Sequence, residues 1–298
     1  MTVVRTLDPG IYIQPYMAKV KSLASLNTEL DKWKQLGISG MVSHGFVGDL
    51  DSKKFAKYTK LCKDRGVKSM AAFGLNSLDP RGKGDWIGKV AQTPGCDGIV
   101  FDMEGAWEDE KEDKKKAKEM GDVYRSFAPN MLTIDQPWPI PTVHWSMFPW
   151  EETSRWIDVR ADQRYVNNWR KQWNRDAYEK FEAWHKKEWA KLEDRLRKVD
   201  PSLVKQHIPT FQGYFWIFSD AVKAVCEYPC MIVWCEPFPE KEFMFAIETK
   251  NKLASLGFIG PGAVRDFQKA AGGLAVDNDC GEKTIGKLGL TPPRGLQW

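Results

Sequence analysis

Residues 98–104 read Gly-Ile-Val-Phe-Asp-Met-Glu, and the way this stretch sorts its side chains decides the fold. Successive side chains of an extended strand point to opposite faces. Ile99, Phe101 and Met103 therefore share one face, and Asp102 and Glu104 share the other. Apolar bulk on one side and acid on the other suit a barrel strand, with the bulky residues against covering helices and the acids toward the axis. The acids stand at the carboxyl end, where barrel enzymes keep their chemistry. Their Cα atoms are about 6.6 Å apart at ~3.3 Å per residue.

Outward from this strand the same unit repeats: a short β-rich run, then a polar helical stretch, then another run. Strands are expected near Ile11 to Tyr16, Ser39 to His44, Lys68 to Phe73, Gly98 to Glu104, Met131 to Asp135, Ile157 to Gln163, Pro209 to Phe215 and Met231 to Glu236. Such alternation argues for parallel strands with crossover helices, and eight of them predict an α/β chain built as a (β/α)8 barrel of the TIM type. Helices such as DKWKQLG and YTKLCKDRG run into a glycine just before the next strand, where the left-handed conformation ends a helix. WEDEKEDKKKAKEM places acids first and lysines later, the order that suits a helix dipole. From Trp169 to Val199, Trp169, Trp173, Phe181, Trp184, Leu192 and Leu196 recur at helical spacing, and such a helix would span about 46 Å. It is read as an overlong sixth helix, with a protruding arm as the alternative. After Glu236 the run PFPEKE reads as a linker, so residues 1–238 are expected to form the barrel and 240–298 a small three-helix module.

At 298 residues the chain has room for a barrel of about 250 and one small appendage. A hydrophobic share of 42% and a charged share of 28% are those of an ordinary globular protein. The net charge of +4 gives no general Lys and Arg excess for nucleic acid. No stretch approaches the roughly 20 apolar residues of a membrane span, so stable membrane insertion is not expected. Six cysteines show no paired spacing, and four histidines form no H-x-x-E-H pattern. No metal and no cofactor are expected, and the cysteines are read as buried free thiols. Fourteen tryptophans are unusual, and indole faces can line a sugar cleft as well as fill a core.

The acid pair on strand four carries the chemistry. Repulsion and partial burial would hold a proton on one carboxyl, giving a general acid beside an ionised stabiliser, as glycoside hydrolysis requires. The alternative is that both acids pair with arginine or cap the following helix. Other strand ends add His44, Asn76, Asp135, Gln136, Asp162, Gln163, Tyr165, Tyr214, Trp234 and Glu236, with Gln14 and Tyr16 on strand one and Trp138 after strand five. Asp135 and Glu236 are the acids expected to reach the pocket if Asp102 does not act. Gln14, Tyr16, His44, Asn76, Trp138, Gln163, Tyr165, Tyr214 and Trp234 are the expected substrate contacts.

The DGIVFDMEG segment resembles the D-x-E strand of barrel-type muramidases, the lysozymes of phages and some bacteria and fungi. The resemblance implies Glu104 as the general acid and Asp102 as its partner, orienting the substrate N-acetyl group in a substrate-assisted step. One departure is plain: the family opens with an aspartate on strand one, and this sequence has IYIQPYM there. Residues 252–290 resemble a peptidoglycan-binding module in the order L-x-x-L-G, A-V-x-x-F-Q, G-L-x-x-D and G-x-x-T, carried by Leu253, Leu256 and Gly257, then Ala263, Val264, Phe267 and Gln268, then Gly273, Leu274, Asp277, Gly281 and Thr284. The first helix of that module is assigned to Glu242 to Leu256.

Together these resemblances imply a phage endolysin: a muramidase-like glycoside hydrolase whose partner is bacterial cell-wall peptidoglycan. It would be made in the host cytoplasm without a signal peptide and act on the wall after release. The other readings are a non-catalytic glycan-binding or phage structural barrel, and a wall amidase.

Overall fold

The computed structural model describes residues 5–44, 52–75, 79–103, 107, 114–142, 148–165, 177–213, 217–236, 238–296 and 298. Eight strands close into an all-parallel barrel in chain order. They are β1 (Gly10–Pro15), β2 (Gly40–Ser43), β3 (Lys68–Leu75), β4 (Gly98–Met103), β5 (Thr133–Asp135), β6 (Val159–Arg164), β7 (Gln206–Gln212) and β8 (Cys230–Cys235). The helices are α1 (Leu23–Gln35), α2 (Ser52–Lys63), α3 (Pro80–Ala91), α4 (Lys114–Phe127), α5 (Trp150–Ser154), α6 (Ala177–Val199), α7 (Phe218–Glu227), α8 (Lys241–Ser255), α9 (Ala263–Ala271) and α10 (Glu282–Leu288). Ladder pairing between β8 and β1 completes the ring. The expected (β/α)8 barrel is the observed fold.

Alternation sorts every strand between two apolar compartments. Tyr12, Val42, Met70, Ala72, Val100, Ile134, Val159, Ala161, Ile208 and Ile232 fill the barrel. Ile99, Phe101 and Met103 join the helix-facing cluster with Ile87, Tyr124 and Trp156, as the reading of β4 requires. Large and small residues interlock inside: Tyr12 is the register partner of Gly40 and Met70 of Gly98. A Cβ on Gly40 would stand 2.4 Å from the Tyr12 ring, so the tyrosine occupies the volume that the glycine leaves.

Strand ends shift by a residue or two from expectation, and the larger differences are at β7 and α6. β7 begins at Gln206, ahead of Pro209; a proline suggests a strand start because it lacks an N–H, yet here it sits within the strand. α6 is helical over 23 residues from Ala177, and the earlier part of the expected helix, with Trp169 and Trp173, lies outside the described residues. Its buried side chains Tyr178, Phe181, Glu182, His185, Trp189, Leu192 and Leu196 form a stripe against the barrel. The described helix is thus a packed element and not a free arm.

α8 follows β8 and lays Phe243, Phe245, Ala246 and Ile247 into the same apolar cluster as Ile11, Ile13, Met231 and Val233. Phe245 stacks on Phe218 of α7 at 5.1 Å. A division of the chain at residue 239 therefore falls just before a helix that covers the barrel. Beyond it, Ala263, Val264 and Phe267 of α9 pack with Ile285 and Leu288 of α10. The buried Gln268 amide holds the intervening loop by donating to Asp277 Oδ1 at 3.0 Å and to the Asp279 carbonyl at 2.9 Å.

α3 and α4, the helices flanking β4 in sequence, meet through Gly84 and Gly88. A Cβ on Gly84 would lie 2.7 Å from the Met120 carbonyl oxygen, a backbone atom with little freedom to retreat. Gly84→Ala should gain about 0.5–1 kcal/mol of helix propensity and lose about 1–3 kcal/mol to overpacking. The expected outcome is a lower urea midpoint with an unchanged slope; a raised midpoint would show that the helices can part at little cost.

Candidate active site

The carboxyl ends of the strands converge on a polar network built from Gln14, His44, Asp102, Gln136, Gln163, Thr210 and Trp234. Asp102 ends the inward row of β4, and its register partner on β3 is Gly74, so no side chain crowds it from that strand. Gln163 Nε2 donates to Asp102 Oδ1 at 2.6 Å, and His44 Nε2 lies 3.2 Å from Oδ2. The indole N–H of Trp234 points to His44 Nδ1 at 3.1 Å. With Nδ1 accepting, the imidazole proton belongs on Nε2, the nitrogen nearer Asp102. Oδ1 thus accepts from Gln163, while Oδ2 stands close to the imidazole.

Behind this carboxylate lies an uncharged floor. Gln14 and Gln136 exchange amide hydrogen bonds of 3.0 and 2.6 Å, and Gln136 Nε2 also donates to Thr210 Oγ1 at 3.1 Å. Thr210 Oγ1 in turn donates to the Ala161 carbonyl at 2.9 Å. Strand one thus brings a neutral amide, tied into a pair, to this point of the mouth. Two aromatic groups rim the opening: Tyr16 bridges to His44 with ring centroids 6.0 Å apart, and Tyr165 sits 6.1 Å from Trp234.

Of the expected contacts, Gln14, Tyr16, His44, Gln163, Tyr165 and Trp234 are brought together with Asp102. Trp138 packs against the apolar cluster that includes Ile140 and Tyr178. Glu236 lies exposed just past the end of β8, on the parity of Trp234. Glu104, Asn76 and Tyr214 lie outside the described residues, as does His144. Thr210 was not anticipated; its signal would have been its place two residues before the end of β7, on the parity of Ile208.

Asp135 requires correction. It faces the helices, because Ile134 is the inward residue of β5. Fully buried, it accepts from Arg160 Nη1 at 2.6 Å, and Arg160 in turn reaches the Trp150 carbonyl and the Ser154 hydroxyl. Burial pushes the Asp135 carboxyl up to about 6 against the pull of Arg160. Asp162 is misplaced by the sequence reading in the same way: it lies on the outer face of β6 against Arg164, His185 and His207. Burial there raises its carboxyl less than these three neighbours lower it, so it lies well below the usual carboxylate range. Burial likewise takes His207 down to about 4 against the pull of Asp162.

No family model matches the chain, and no curated protein sequence is similar to it. Solved structures do share its architecture. A chitinase active domain from Pyrococcus furiosus aligns with a TM-score of 0.57 at 11% identity, covering 83% of this chain and 96% of that one. An endo-beta-1,4-mannanase from Thermotoga petrophila aligns at 0.56 and 12%, covering 84% and 77%. A homocysteine methyltransferase from Escherichia coli aligns at 0.50 and 8%, covering 83% and 98%. The chemistries differ, so what the three share with this chain is the barrel.

Because Asp135 balances a buried guanidinium, Asp135→Ala should cost about 3–5 kcal/mol of folding stability, read by urea denaturation. Unchanged stability would return Asp135 to the candidates for the mouth.

Proposed function

We propose that this chain is a glycoside hydrolase acting on bacterial cell-wall peptidoglycan, with Glu104 as general acid and Asp102 as the ionised partner. The observation that carries the reading is the Asp102 carboxylate, held at the barrel mouth by His44 and Gln163 beside the Trp234 indole. A fixed anionic acceptor at that point can take a hydrogen bond from a sugar N-acetyl amide and turn its carbonyl toward the anomeric carbon. Glu104, two residues on, would give its proton to the departing glycosidic oxygen. Indole and phenol faces at Trp234 and Tyr165 suit stacking against a pyranose ring. Glycosidases among the proteins that share this barrel support the class. The wall as substrate rests on the muramidase-like strand and on the wall-module motif of residues 252–290.

Glu104→Gln should lower the release of reducing ends from purified walls at least about a hundredfold with the circular dichroism unchanged, since an amide has no proton to donate. Near-wild-type turnover would remove Glu104 from the mechanism, and new free amines in place of reducing ends would make the enzyme an amidase. One observation favours a second reading, a barrel that binds glycan without cutting it: strand one brings no acid to the mouth but the neutral Gln14, locked to Gln136. In that case the wild-type chain would sediment with walls yet release no reducing ends.

Residues 240–298, with α8 as first helix, are the part assigned to wall attachment. A tether raises the effective concentration of the barrel at a polymer without altering its chemistry. A chain ending after Gly257, which keeps α8 over the barrel, should sediment less with intact walls and lyse them more slowly. Its cleavage of short soluble glycans should match that of the full chain. Equal sedimentation by a folded truncated chain would make the segment a structural cap.

A further inference from the structure

The outer side of β6 and β7, beneath α6, holds a buried cluster that the mouth does not use. His185 Nε2 lies 2.7 Å from Asp162 Oδ2, and His207 Nε2 lies 2.5 Å from Asp162 Oδ1. One donor atom from each of the three residues falls within 4.8 Å of the others. β6, α6 and β7 supply one residue apiece. Ring stacking fixes both imidazoles: Trp189 lies parallel to His207 at 3.9 Å, and His185 stands between Phe181 at 6.0 Å and Trp189 at 5.3 Å.

Hydrogen bonding alone does not account for His185. It is 1% exposed, Nδ1 has no partner among the described residues, and the close contact of Nε2 with Asp162 lacks hydrogen-bond geometry. Two unsatisfied nitrogens on one buried ring are rare and call for an explanation. Charge points the same way. Asp162 and Glu182 face a single guanidinium, Arg164, whose Nε reaches Asp162 at 3.0 Å and whose Nη1 reaches Glu182 at 2.8 Å. Glu182 Oε1 is also buried without a partner among the described residues.

We propose that Asp162, His185 and His207 bind a divalent transition cation of the zinc class and so pin α6 to the barrel wall. Two imidazoles and one carboxylate suit borderline cations and leave a fourth coordination position. Bonds of about 2.0–2.1 Å in tetrahedral geometry put ligand atoms about 3.3 Å apart, so each imidazole nitrogen needs to move less than about 1 Å from its carboxylate oxygen, with the two imidazole nitrogens meeting from within 4.8 Å of each other. Arg164 Nε contacts both Asp162 oxygens, at 3.2 and 3.0 Å, and its Nη2 lies 3.5 Å from His207 Nε2, so a bound cation would share the carboxylate with this guanidinium. The His207 side chain, 17% exposed, gives a way in. The site is independent of the mouth and does not rest on the hydrolase reading.

The test uses the full chain after treatment with a chelator, titrated with Zn2+ and with Co2+. We expect one equivalent taken up, a tetrahedral cobalt spectrum with nitrogen ligation, and a rise in melting temperature. His207→Gln and His185→Gln should each weaken uptake at least about a hundredfold, and Glu104→Gln should leave it unchanged whatever that variant does to wall digestion. Absence of stoichiometric uptake by the folded wild-type chain would overturn the site. So would uptake that survives both histidine changes, or an imidazole nitrogen spectrum showing that one ring takes a proton in place of a metal. Should either variant fail to fold, the wild-type cobalt spectrum decides, an octahedral oxygen-type spectrum counting against the site.

Discussion

The constraint on which everything else depends is that a barrel strand is buried on both faces. In a half-exposed sheet, one parity meets water and the other meets the core, so polarity reveals direction. Here the inward residues meet one another and the outward residues meet helices, so each polar side chain must find a partner wherever it points. β4 resolves this with apolar bulk outside and an acid inside. β5 and β6 do the reverse: the row formed by Asp135, Arg160 and His207 runs along the outside, while amides and small hydroxyls occupy the interior near the mouth.

That constraint also explains what the sequence disclosed. The eight strands were legible because period-two alternation and helix-ending glycines punctuate them independently of which side is which. The mouth was legible where a strand carried contrast, as at Asp102, Gln163 and Trp234. It was illegible at Asp135 and Asp162, because an acid flanked by residues of mixed polarity carries no mark of its face until Arg160 and Arg164 are seen beside it. The partner of Asp135 comes from the next strand, and of the partners of Asp162 only Arg164, two residues on, is near it in sequence, so neither set shows as a motif. For the same reason no metal-like pattern stands out among four scattered histidines, although two of them share a carboxylate.

α8 shows a related ambiguity. Its sequence can be read as the first helix of a wall module, and its buried phenylalanines lie on the barrel. An amphipathic helix after a last strand satisfies both descriptions, since each asks only for an apolar face and a few polar residues. Placement of its side chains, not its pattern, tells which surface it covers.

The amide pair between Gln14 and Gln136 joins β1 to β5, strands half a turn apart around the closed ring. A link across that diameter works as a spoke: it resists flattening of the barrel toward an ellipse, which no bond between adjacent strands can do. The mouth above it is thereby braced across this diameter.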